Sequence, residues 1–175
     1  NDGYKILKAN DILSYKIDCE ILMSKILNIS REEVILNLEK SINEDEREKY
    51  ISLVNRRKKK EPIAYITSTR GFWRDNFITD ENVLIPRPDS EHLVEQSLRI
   101  IKKNQFKRLL DVGVGSGCLS ISVLKERLHC KCDAIDLSKN ALKLAKINAN
   151  LHQLSNRIKF YKRDVDNFYN DKYDL

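Results

Sequence analysis

Three glycines at alternate positions, Gly113, Gly115 and Gly117, follow a mostly apolar stretch that contains Asp111. Glycine adopts positive φ without strain and leaves room for the backbone to approach a ligand closely. An amphipathic stretch begins directly after Gly117, so the order is a buried strand, a tight turn and the start of a helix. This order predicts a loop that binds a nucleotide-like ligand.

Acidic residues end the next two apolar runs of the chain, at Asp136 and Asp164. An acid about 20 residues beyond a glycine loop, at the end of the next parallel strand, is placed to bind ribose hydroxyls. A dinucleotide would bring a pyrophosphate to the start of the helix, where Asp111 would oppose its charge. The methionine ammonium of S-adenosylmethionine would tolerate Asp111. The glycine pattern alone fits both ligand classes, and the three acids favour S-adenosylmethionine.

Strand and helix signals alternate around this loop, which predicts an α/β fold with a parallel sheet. Before the loop, Asp89 or Ser90 is predicted to cap a helix, and Leu128 is predicted to lie on the helix after the loop. Ser138 is predicted to cap the helix that follows Asp136. These elements would bring the ends of the strands to one edge of the sheet.

The first 62 residues predict a compact bundle of helices. Ser30-Arg-Glu-Glu33 is a capping box that would begin a helix extending through Leu38. Asn43, followed by Glu46, repeats the pattern and predicts a helix over about 44–59. The basic run 56–60 ends that helix, where cations complement the helix dipole; a phosphate-binding patch is the alternative.

The stretch 63–88 has a different composition from both of its neighbours. Tyr65, Ile66 and Thr67 are strand formers, a second strand-like stretch covers 76–79, and Pro86 and Pro88 favour extended backbone before them. We therefore expect three segments. They are a helical domain over 1–62, a β-hairpin and extended linker over 63–88, and an α/β domain over 89–175.

The composition excludes several classes of protein. With 41% hydrophobic and 33% charged residues, the chain resembles a soluble globular protein, and no apolar run approaches the ~18 residues of a membrane span. Four scattered cysteines predict neither a disulfide framework nor a metal site, and they suit a cytoplasmic location. The net charge of +6 permits an acidic partner without requiring one. The three histidines are expected to be solvated.

Two segments of the chain together resemble a known family. Gly71-Phe-Trp73 is followed at a short interval by Leu84-Ile-Pro-Arg-Pro-Asp-Ser-Glu91, and the glycine loop 111–117 comes next. In this order they resemble the bacterial protein-(glutamine-N5) methyltransferases, and among these the peptide chain release factor methyltransferases of the PrmC/HemK family. The likeness covers essentially the whole chain, and the Ile-Pro-Arg-Pro-Asp-Ser-Glu segment is its specific element.

The resemblance implies a Rossmann-like S-adenosylmethionine-dependent methyltransferase domain behind a helical domain that recognises class 1 release factors. The reaction would methylate the side-chain amide of the glutamine in their Gly-Gly-Gln motif. The implied cofactor-binding residues are Asp111, Gly113, Val114, Gly115, Ser116 and Gly117 at the methionine end, Asp136 at the ribose, and Asp164 and Val165 at the adenine. At the position of Val114 the family often has a small hydroxylated residue.

Phe72 and Arg87 are the implied candidates for the glutamine pocket. Large aromatic side chains more often serve packing, so Phe72 and Trp73 could instead form a hydrophobic contact between domains. Arg87 could instead form an ion pair with Glu91, one helical turn further on.

The family's Asn-Pro-Pro-Tyr motif does not occur in the 175 residues. It is expected a few residues beyond Asp174-Leu175, where a further strand begins, so we expect the chain to be a fragment with an incomplete sheet. No catalytic residue is therefore assigned. The chain alone is expected to bind the cofactor weakly and not to methylate.

Three other functions stay open. A methyltransferase acting on a glutamine of a ribosomal protein would share the fold and the donor. A nucleic-acid amino-methyltransferase would suit the positive charge, but the chain has no aromatic and basic stripe, so direct nucleic-acid binding is not expected. A non-catalytic module that binds a release factor through its helices is the third.

Overall fold

The computed structural model describes residues 2–37, 41–102, 107–168 and 172–175. The chain divides into two compact units, Asn1–Thr67 and Ser68–Leu175. The first unit is helical, and the second combines helices with two sheets. In the described ranges, no helix is both long enough and apolar enough to span a membrane.

In residues 2–37 and 41–67, five helices build the first unit. They are α1 (Asp2–Lys8), α2 (Tyr15–Leu27), α3 (Arg31–Leu36), α4 (Glu44–Lys58) and α5 (Ile63–Thr67). Buried side chains of α1, α2, α4 and α5, among them Leu7, Leu22, Val54 and Ile66, form its core. Helix formation in so short a segment depends mainly on this packing, since isolated helices of this length are marginal in water.

Both predicted capping boxes are confirmed. The Ser30 hydroxyl accepts a hydrogen bond from the Glu33 backbone N–H at 3.1 Å, and the Glu33 carboxylate accepts one from the Ser30 N–H at 2.8 Å. Asn43 and Glu46 form the same pair of bonds, each at 2.9 Å. These bonds satisfy donors that a helix start leaves free. Leu38, predicted on α3, lies outside the described residues.

The predicted strand over Tyr65, Ile66 and Thr67 is wrong, because this stretch is helix α5. The N–H groups of Tyr65 and Ile66 donate to the carbonyl of Pro62, at 3.0 and 3.1 Å. Proline is favoured at a helix start, where its missing N–H costs nothing. Ala64 and Ile66 are buried on the helix, so packing overrides a weak preference for strand.

A buried ion pair joins α2 to α4. Arg57 Nε donates to Asp18 Oδ2 at 2.7 Å, and the Ser14 hydroxyl donates to the same oxygen at 2.8 Å. Arg57 also donates to the backbone carbonyl of Glu61 at 3.0 Å. One cation of the basic run 56–60 therefore fixes helices to each other, beyond any effect on the helix dipole.

In the part of the second unit that the structure describes, the main elements are a hairpin, a parallel sheet and three α-helices. The hairpin strands are β1 (Thr69–Phe72) and β2 (Asp75–Ile78). The sheet strands are β3 (Arg108–Val112), β4 (Lys131–Asp136) and β5 (Ile158–Lys162), in that order and parallel. The helices are α6 (Glu91–Ile100), α7 (Cys118–Glu126) and α8 (Lys139–Leu151). The predicted α/β fold with a parallel sheet is confirmed.

The residues 172–175 run parallel to β3 on the side away from β4. The Asp174 N–H donates to the Arg108 carbonyl, and the Leu110 N–H donates to the Leu175 carbonyl, both at 2.8 Å. Tyr173 adds a hydrogen bond from its hydroxyl to the buried Asp133 carboxylate at 2.8 Å. The predicted start of a further strand agrees with this pairing.

Ser138 caps α8 as predicted, because its hydroxyl accepts a hydrogen bond from the Ala141 N–H at 3.2 Å. The predicted cap of α6 is wrong. A 3₁₀ turn, Pro88–Ser90, precedes that helix, and Ser90 has helical backbone angles without a side-chain cap. Leu128 is also misplaced by the prediction, since α7 ends at Glu126 and Leu128 is 72% exposed.

His152 is not solvated, contrary to the prediction. Its side chain is 9% exposed, its Nε2 lies 3.1 Å from the Asn76 carbonyl oxygen, and its ring packs against Phe77 with centroids 4.8 Å apart. The residue lies just after α8, where the hairpin covers it. Its contacts fix the hairpin to α8.

Candidate cofactor-binding site

The three predicted acids lie at the carboxyl ends of adjacent parallel strands. Asp111 is the next-to-last residue of β3, Asp136 is the last residue of β4, and Asp164 follows β5. The register pairs Val112 with Ile135 and extends through Asp136 to β5, so these ends meet at one edge of the sheet. Ligands of open α/β sheets bind at this edge.

The glycine loop folds over the end of β4. The N–H groups of Gly113 and Val114 donate to the Ile135 carbonyl, at 2.9 and 3.0 Å. The Gly115 N–H donates to Asp136 Oδ2 at 3.1 Å. The loop and the ribose-binding candidate are therefore directly bonded.

The three loop glycines have positive φ, but the space around them differs. A Cβ on Gly113 would meet nothing within 4 Å, and one on Gly115 would meet only the Gly113 carbonyl at 3.9 Å. A Cβ on Gly117 would lie 3.1 Å from the Ile121 side chain. Gly117 is thus needed for close packing of α7, whereas Gly113 and Gly115 leave open space where a ligand could approach the backbone.

Asp111 has a buried carboxylate oxygen without a partner. Among the residues that the structure describes, Oδ2 accepts no hydrogen bond. Burial raises the pKa of the Asp111 carboxyl, hydrogen bonds from Ser120 at the start of α7 lower it in part, and the charge of Asp136 raises it further. Buried polar groups normally have partners. A ligand ammonium at this edge would supply the missing donor.

Asp136 is held from two sides. Its Oδ1 accepts a hydrogen bond from the Ser138 N–H at 2.8 Å, and its Oδ2 accepts the bond from Gly115. A carboxylate has about four acceptor positions, so each oxygen can accept one further bond. A pair of neighbouring hydroxyls, as in a ribose, matches that capacity.

Exposed apolar side chains follow two of the acids. Leu137 comes directly after Asp136 and is 64% exposed, and Val165 comes directly after Asp164 and is 49% exposed. Asp164 itself accepts a hydrogen bond from the Asp166 N–H at 3.1 Å. Two apolar groups at one edge suit the faces of a flat ring. Leu137 was not predicted from the sequence, although its position after an acid at a strand end matches that of Val165.

Comparison with known proteins covers both units. Residues 1–67 match the PrmC N-terminal domain, and residues 91–175 match the methyltransferase small domain. The chain is 38% identical over 94% of its length to the release factor glutamine methyltransferase of Clostridium botulinum. It is 40% identical over 83% of its length to that of Leptospira interrogans, and 34% identical over its full length to that of Buchnera aphidicola.

The chain is therefore similar to release factor glutamine methyltransferases over most of its length, and its first 67 residues match the PrmC N-terminal domain. It spans 58%, 51% and 64% of the lengths of these three relatives. The resemblance derived from the sequence is thus confirmed.

Two loop positions of this chain face the protein interior. Val114 is 6% exposed and packs in the core of the second unit, and Ser116 is 3% exposed. The carbonyl of Ser116 accepts a hydrogen bond from Asn148 at 2.8 Å. Their predicted part in cofactor binding is therefore limited to the backbone, which explains why valine fits at position 114.

Phe72, predicted in the glutamine pocket, lies in the core. Its side chain is 2% exposed and packs edge-on against Phe77, with ring centroids 6.2 Å apart. The geometry corresponds to the packing alternative, within the second unit. Next to it, Trp73 has a φ of 56°, which is unusual for a bulky residue.

The alternative for Arg87, an ion pair with Glu91, is not formed between these two described residues. The Glu91 carboxylate accepts a hydrogen bond from the Trp73 N–H at 2.9 Å, and thereby holds the hairpin turn to α6. The Trp73 indole N–H donates to Glu126 at 3.2 Å. Arg87 is exposed, and the described part of the chain offers its side chain no hydrogen bond or ion pair. Its side chain is therefore available to a ligand.

The segment after β2 runs along α8 toward the cofactor edge. Ile78 bonds to Asn148 in the second half of α8, Val83 packs against Leu144, and Asn82 accepts a hydrogen bond from Asn140 at 2.8 Å. The helix begins just after Asp136, so the segment 78–83 heads toward that end. In the Ile-Pro-Arg-Pro segment that follows, the Pro86 carbonyl accepts a hydrogen bond from Arg70 Nε of β1 at 3.3 Å.

Proposed function

We propose that this protein methylates the side-chain amide nitrogen of the glutamine in the Gly-Gly-Gln motif of class 1 peptide chain release factors, with S-adenosylmethionine as the methyl donor. The observation that carries the proposal is the glycine loop bonded to Asp136 beside the unpartnered Asp111 oxygen. The match of the first unit to the PrmC N-terminal domain supports the choice of substrate.

The residues at the carboxyl edge fit S-adenosylmethionine. Asp111 would accept from the methionine ammonium, the open backbone at Gly113 and Gly115 would lie against the methionine end, and Asp136 would accept from the ribose hydroxyls. The adenine would lie near Asp164 and between the exposed side chains of Val165 and Leu137. When bound, the cofactor supplies an electrophilic methyl group on a sulfonium.

An amide nitrogen is a poor nucleophile because its lone pair is delocalised into the carbonyl. The protein must therefore hold the amide with acceptors and aim its nitrogen at the methyl group, so positioning provides much of the rate. The family's Asn-Pro-Pro-Tyr motif would supply the acceptors, and no residue of this chain is assigned that part. Residues 172–175 run parallel to β3, so a motif following them would emerge beside Asp111.

Arg87 is the residue of this chain that we place on the substrate side. It is exposed, and the stretch 78–83 that precedes it in the chain runs along α8 toward the helix end next to Asp136. A guanidinium can donate to carbonyl oxygens of a substrate loop with fixed geometry. Phe72 would act from the core by supporting the hairpin beneath that segment.

The function is tested with the protein extended beyond Leu175 through the expected Asn-Pro-Pro-Tyr motif, which is incubated with a class 1 release factor and S-adenosylmethionine that carries a labelled methyl group. We expect one methyl group on the glutamine of the Gly-Gly-Gln motif, located by mass spectrometry of the peptide. A release factor with that glutamine changed to alanine should stay unlabelled. Label on a ribosomal protein or on RNA, and not on the release factor, would contradict the proposal.

Binding is tested separately by calorimetric titration of S-adenosylmethionine into the 175-residue chain. Asp136→Ala should weaken binding by at least about tenfold, since two hydrogen bonds to the ribose are lost. Asp166→Ala is the matched control, because it removes an exposed acid from the same edge. Equal affinities of the two variants would contradict the assigned ribose site. The chain alone is expected to bind without transferring the methyl group.

A further inference from the structure

Asn148 is a polar residue in the middle of the buried face of α8. It is fully buried, and its neighbours on that face include Ala145 and Ala149. Burying a side-chain amide is unfavourable unless its hydrogen bonds are made. The bonds that Asn148 makes therefore indicate what holds it there.

Three hydrogen bonds join Asn148 to two distant parts of the chain. Its Oδ1 accepts from the Ile78 N–H at 2.8 Å, and its Nδ2 donates to the Ile78 carbonyl at 2.9 Å. The second Nδ2 hydrogen is directed to the Ser116 carbonyl in the glycine loop at 2.8 Å. The amide thus pairs with the end of β2 as a neighbouring strand would, and at the same time holds the loop.

The Ser116 carbonyl belongs to the peptide that connects Ser116 to Gly117. Fixing its direction restricts the loop conformation at the point where α7 begins. The other bonded residue, Ile78, is the last residue of the hairpin and the first of the segment that leads to Arg87. One side chain therefore links the loop on the cofactor side to the segment on the substrate side.

We propose that Asn148 is a positioning residue that holds the glycine loop in its cofactor-binding conformation relative to the hairpin. The proposal rests on the proposed function, since it assigns S-adenosylmethionine to that loop. A loop that occupies its binding conformation for only a fraction of the time lowers the apparent affinity by that fraction. Asn148 would raise this fraction without touching the ligand.

Few other side chains can make the same three bonds. Aspartate has the same shape but lacks the two donors, so it would direct a carboxylate oxygen at the carbonyls of Ile78 and Ser116. Leucine fills the space without any polar group, which leaves three buried backbone groups unpaired. Asparagine is the residue with one acceptor and two donors at this length.

The experiment compares Asn148→Ala with Leu154→Ala. Leu154 is buried in the same core, so its truncation also destabilises the second unit, but it leaves the bonds of Asn148 in place. The affinity for S-adenosylmethionine is measured by calorimetry under conditions where each variant is folded. We expect Asn148→Ala to weaken binding about tenfold, equivalent to about 1.4 kcal/mol, and Leu154→Ala to leave it almost unchanged.

Equal losses in the two variants, or no loss in Asn148→Ala, would overturn the proposal, because Asn148 would then be a packing residue only. Where Asn148→Ala does not fold, Asn148→Ser takes its place; serine is polar but too short to reach both partners. An exposed substitution on the same helix, Asn150→Ala, should change nothing.

Hydrogen exchange separates this proposal from the proposed function. If the unsubstituted chain does not bind S-adenosylmethionine, the proposed function is overturned, and exchange then tests the link by itself. The amides of Ile78, Gly113 and Gly115 should exchange faster in Asn148→Ala than in Leu154→Ala. Equal exchange in the two variants would show that Asn148 does not hold the loop.

Discussion

Asp18 in the helical unit and Asp111 in the α/β unit both have a buried carboxylate oxygen, but the partners of these oxygens differ. Asp18 in the helical unit is 4% exposed and is bonded to Arg57 and to the Ser14 hydroxyl. Asp111 in the α/β unit has hydrogen bonds from Ser120, but its Oδ2 has no partner in the described ranges. The first carboxylate is neutralised by a cation of the protein, and the second is not.

Under the proposed function, the difference separates a group that holds the fold from a group that binds the ligand. A buried charge with its counter-ion fixes two helices, whereas a buried charge without one raises the free energy of the folded protein. Such groups collect at functional sites, where a ligand supplies the missing interaction. The glycines repeat the contrast, since Gly3 is packed against side chains and Gly113 adjoins open space.

The largest effect is expected where the helical unit loses its counter-ion. Arg57→Met leaves Asp18 buried without a cation and should lower the free energy of unfolding of the first unit by about 3 kcal/mol. Far-UV circular dichroism in denaturant measures this loss. Arg56→Met is the control, because its pair with Glu61 is more exposed and should contribute little. Equal losses would contradict the distinction between the two arginines.

Gly3→Ala should have the next largest effect. A Cβ on Gly3 would lie 2.2 Å from the Tyr50 hydroxyl oxygen, so the ring must move within a packed core. Overpacking of this kind costs about 3 kcal/mol, of which the helix preference of alanine recovers about 1 kcal/mol. Denaturant unfolding measures the net loss. Gly71→Ala, whose Cβ would meet its nearest atom at 3.6 Å, serves as the control.

Gly113→Ala should lower the affinity for the ligand more than it lowers the stability of the second unit. Its φ of 72° disfavours alanine by about 1 kcal/mol, but a Cβ there would meet no atom of the protein. We expect the second unit to unfold at a slightly lower denaturant concentration. The fluorescence of Trp73, the single tryptophan of the chain, measures this unfolding. Affinity for S-adenosylmethionine should fall by at least about tenfold. Unchanged affinity would mean that the ligand does not approach this part of the loop.

Asp111→Asn should give the smallest change in the free energy of unfolding, and this change should be an increase, whereas the variants above lower it. The ordinary pKa of the carboxyl is 3.8, and burial raises the pKa in the folded protein. Below pH 3.8 the carboxyl is protonated in both the folded and the unfolded chain, and the contribution of Asp111 to the free energy of unfolding is then at its maximum. This contribution is lost as the pH rises through the raised pKa of the folded protein. The asparagine variant lacks this loss.

We therefore expect the second unit of Asp111→Asn to be more stable than that of the unsubstituted protein at neutral pH, while S-adenosylmethionine binds less tightly. Trp73 fluorescence in denaturant at several pH values, together with calorimetry, measures both. A variant that is less stable at neutral pH would show that the bonds from Ser120 outweigh the cost of burial.

Elements with local signals could be predicted from the sequence. The capping boxes at Ser30 and Asn43 and the cap at Ser138 depend on residues three positions apart, so their pattern is visible in the chain itself. The strand, glycine loop and helix around Asp111 carry a similar local signature. Helix α5 was not predicted because its residues have a weak preference for strand, and the burial of Ala64 and Ile66 stabilises the helix instead.

The site could be predicted only in part. Its acidic residues lie at the ends of strands and are visible in the sequence, whereas the side chains that hold the site in place make contacts between residues far apart in the chain. Asp111, Asp136 and Asp164 do lie at one edge, as the parallel sheet requires. The link through Asn148 joins residues 70 and 32 positions apart, and the bond from Trp73 to Glu91 redirects a carboxylate that the sequence assigned to Arg87. An asparagine among alanines on an apolar helix face was the one available signal.

The bond between Ile78 and Asn148 also has a consequence for the order of folding during synthesis. Ile78 is added 70 residues before Asn148. At a synthesis rate of about 5–20 residues per second, Asn148 is added roughly 4–14 seconds after Ile78. During this time the backbone groups of Ile78 form hydrogen bonds with water. The residues of the hairpin are therefore made before the helix against which they pack, and the hydrogen bond from Asn148 to the glycine loop can form only after α8 has been made.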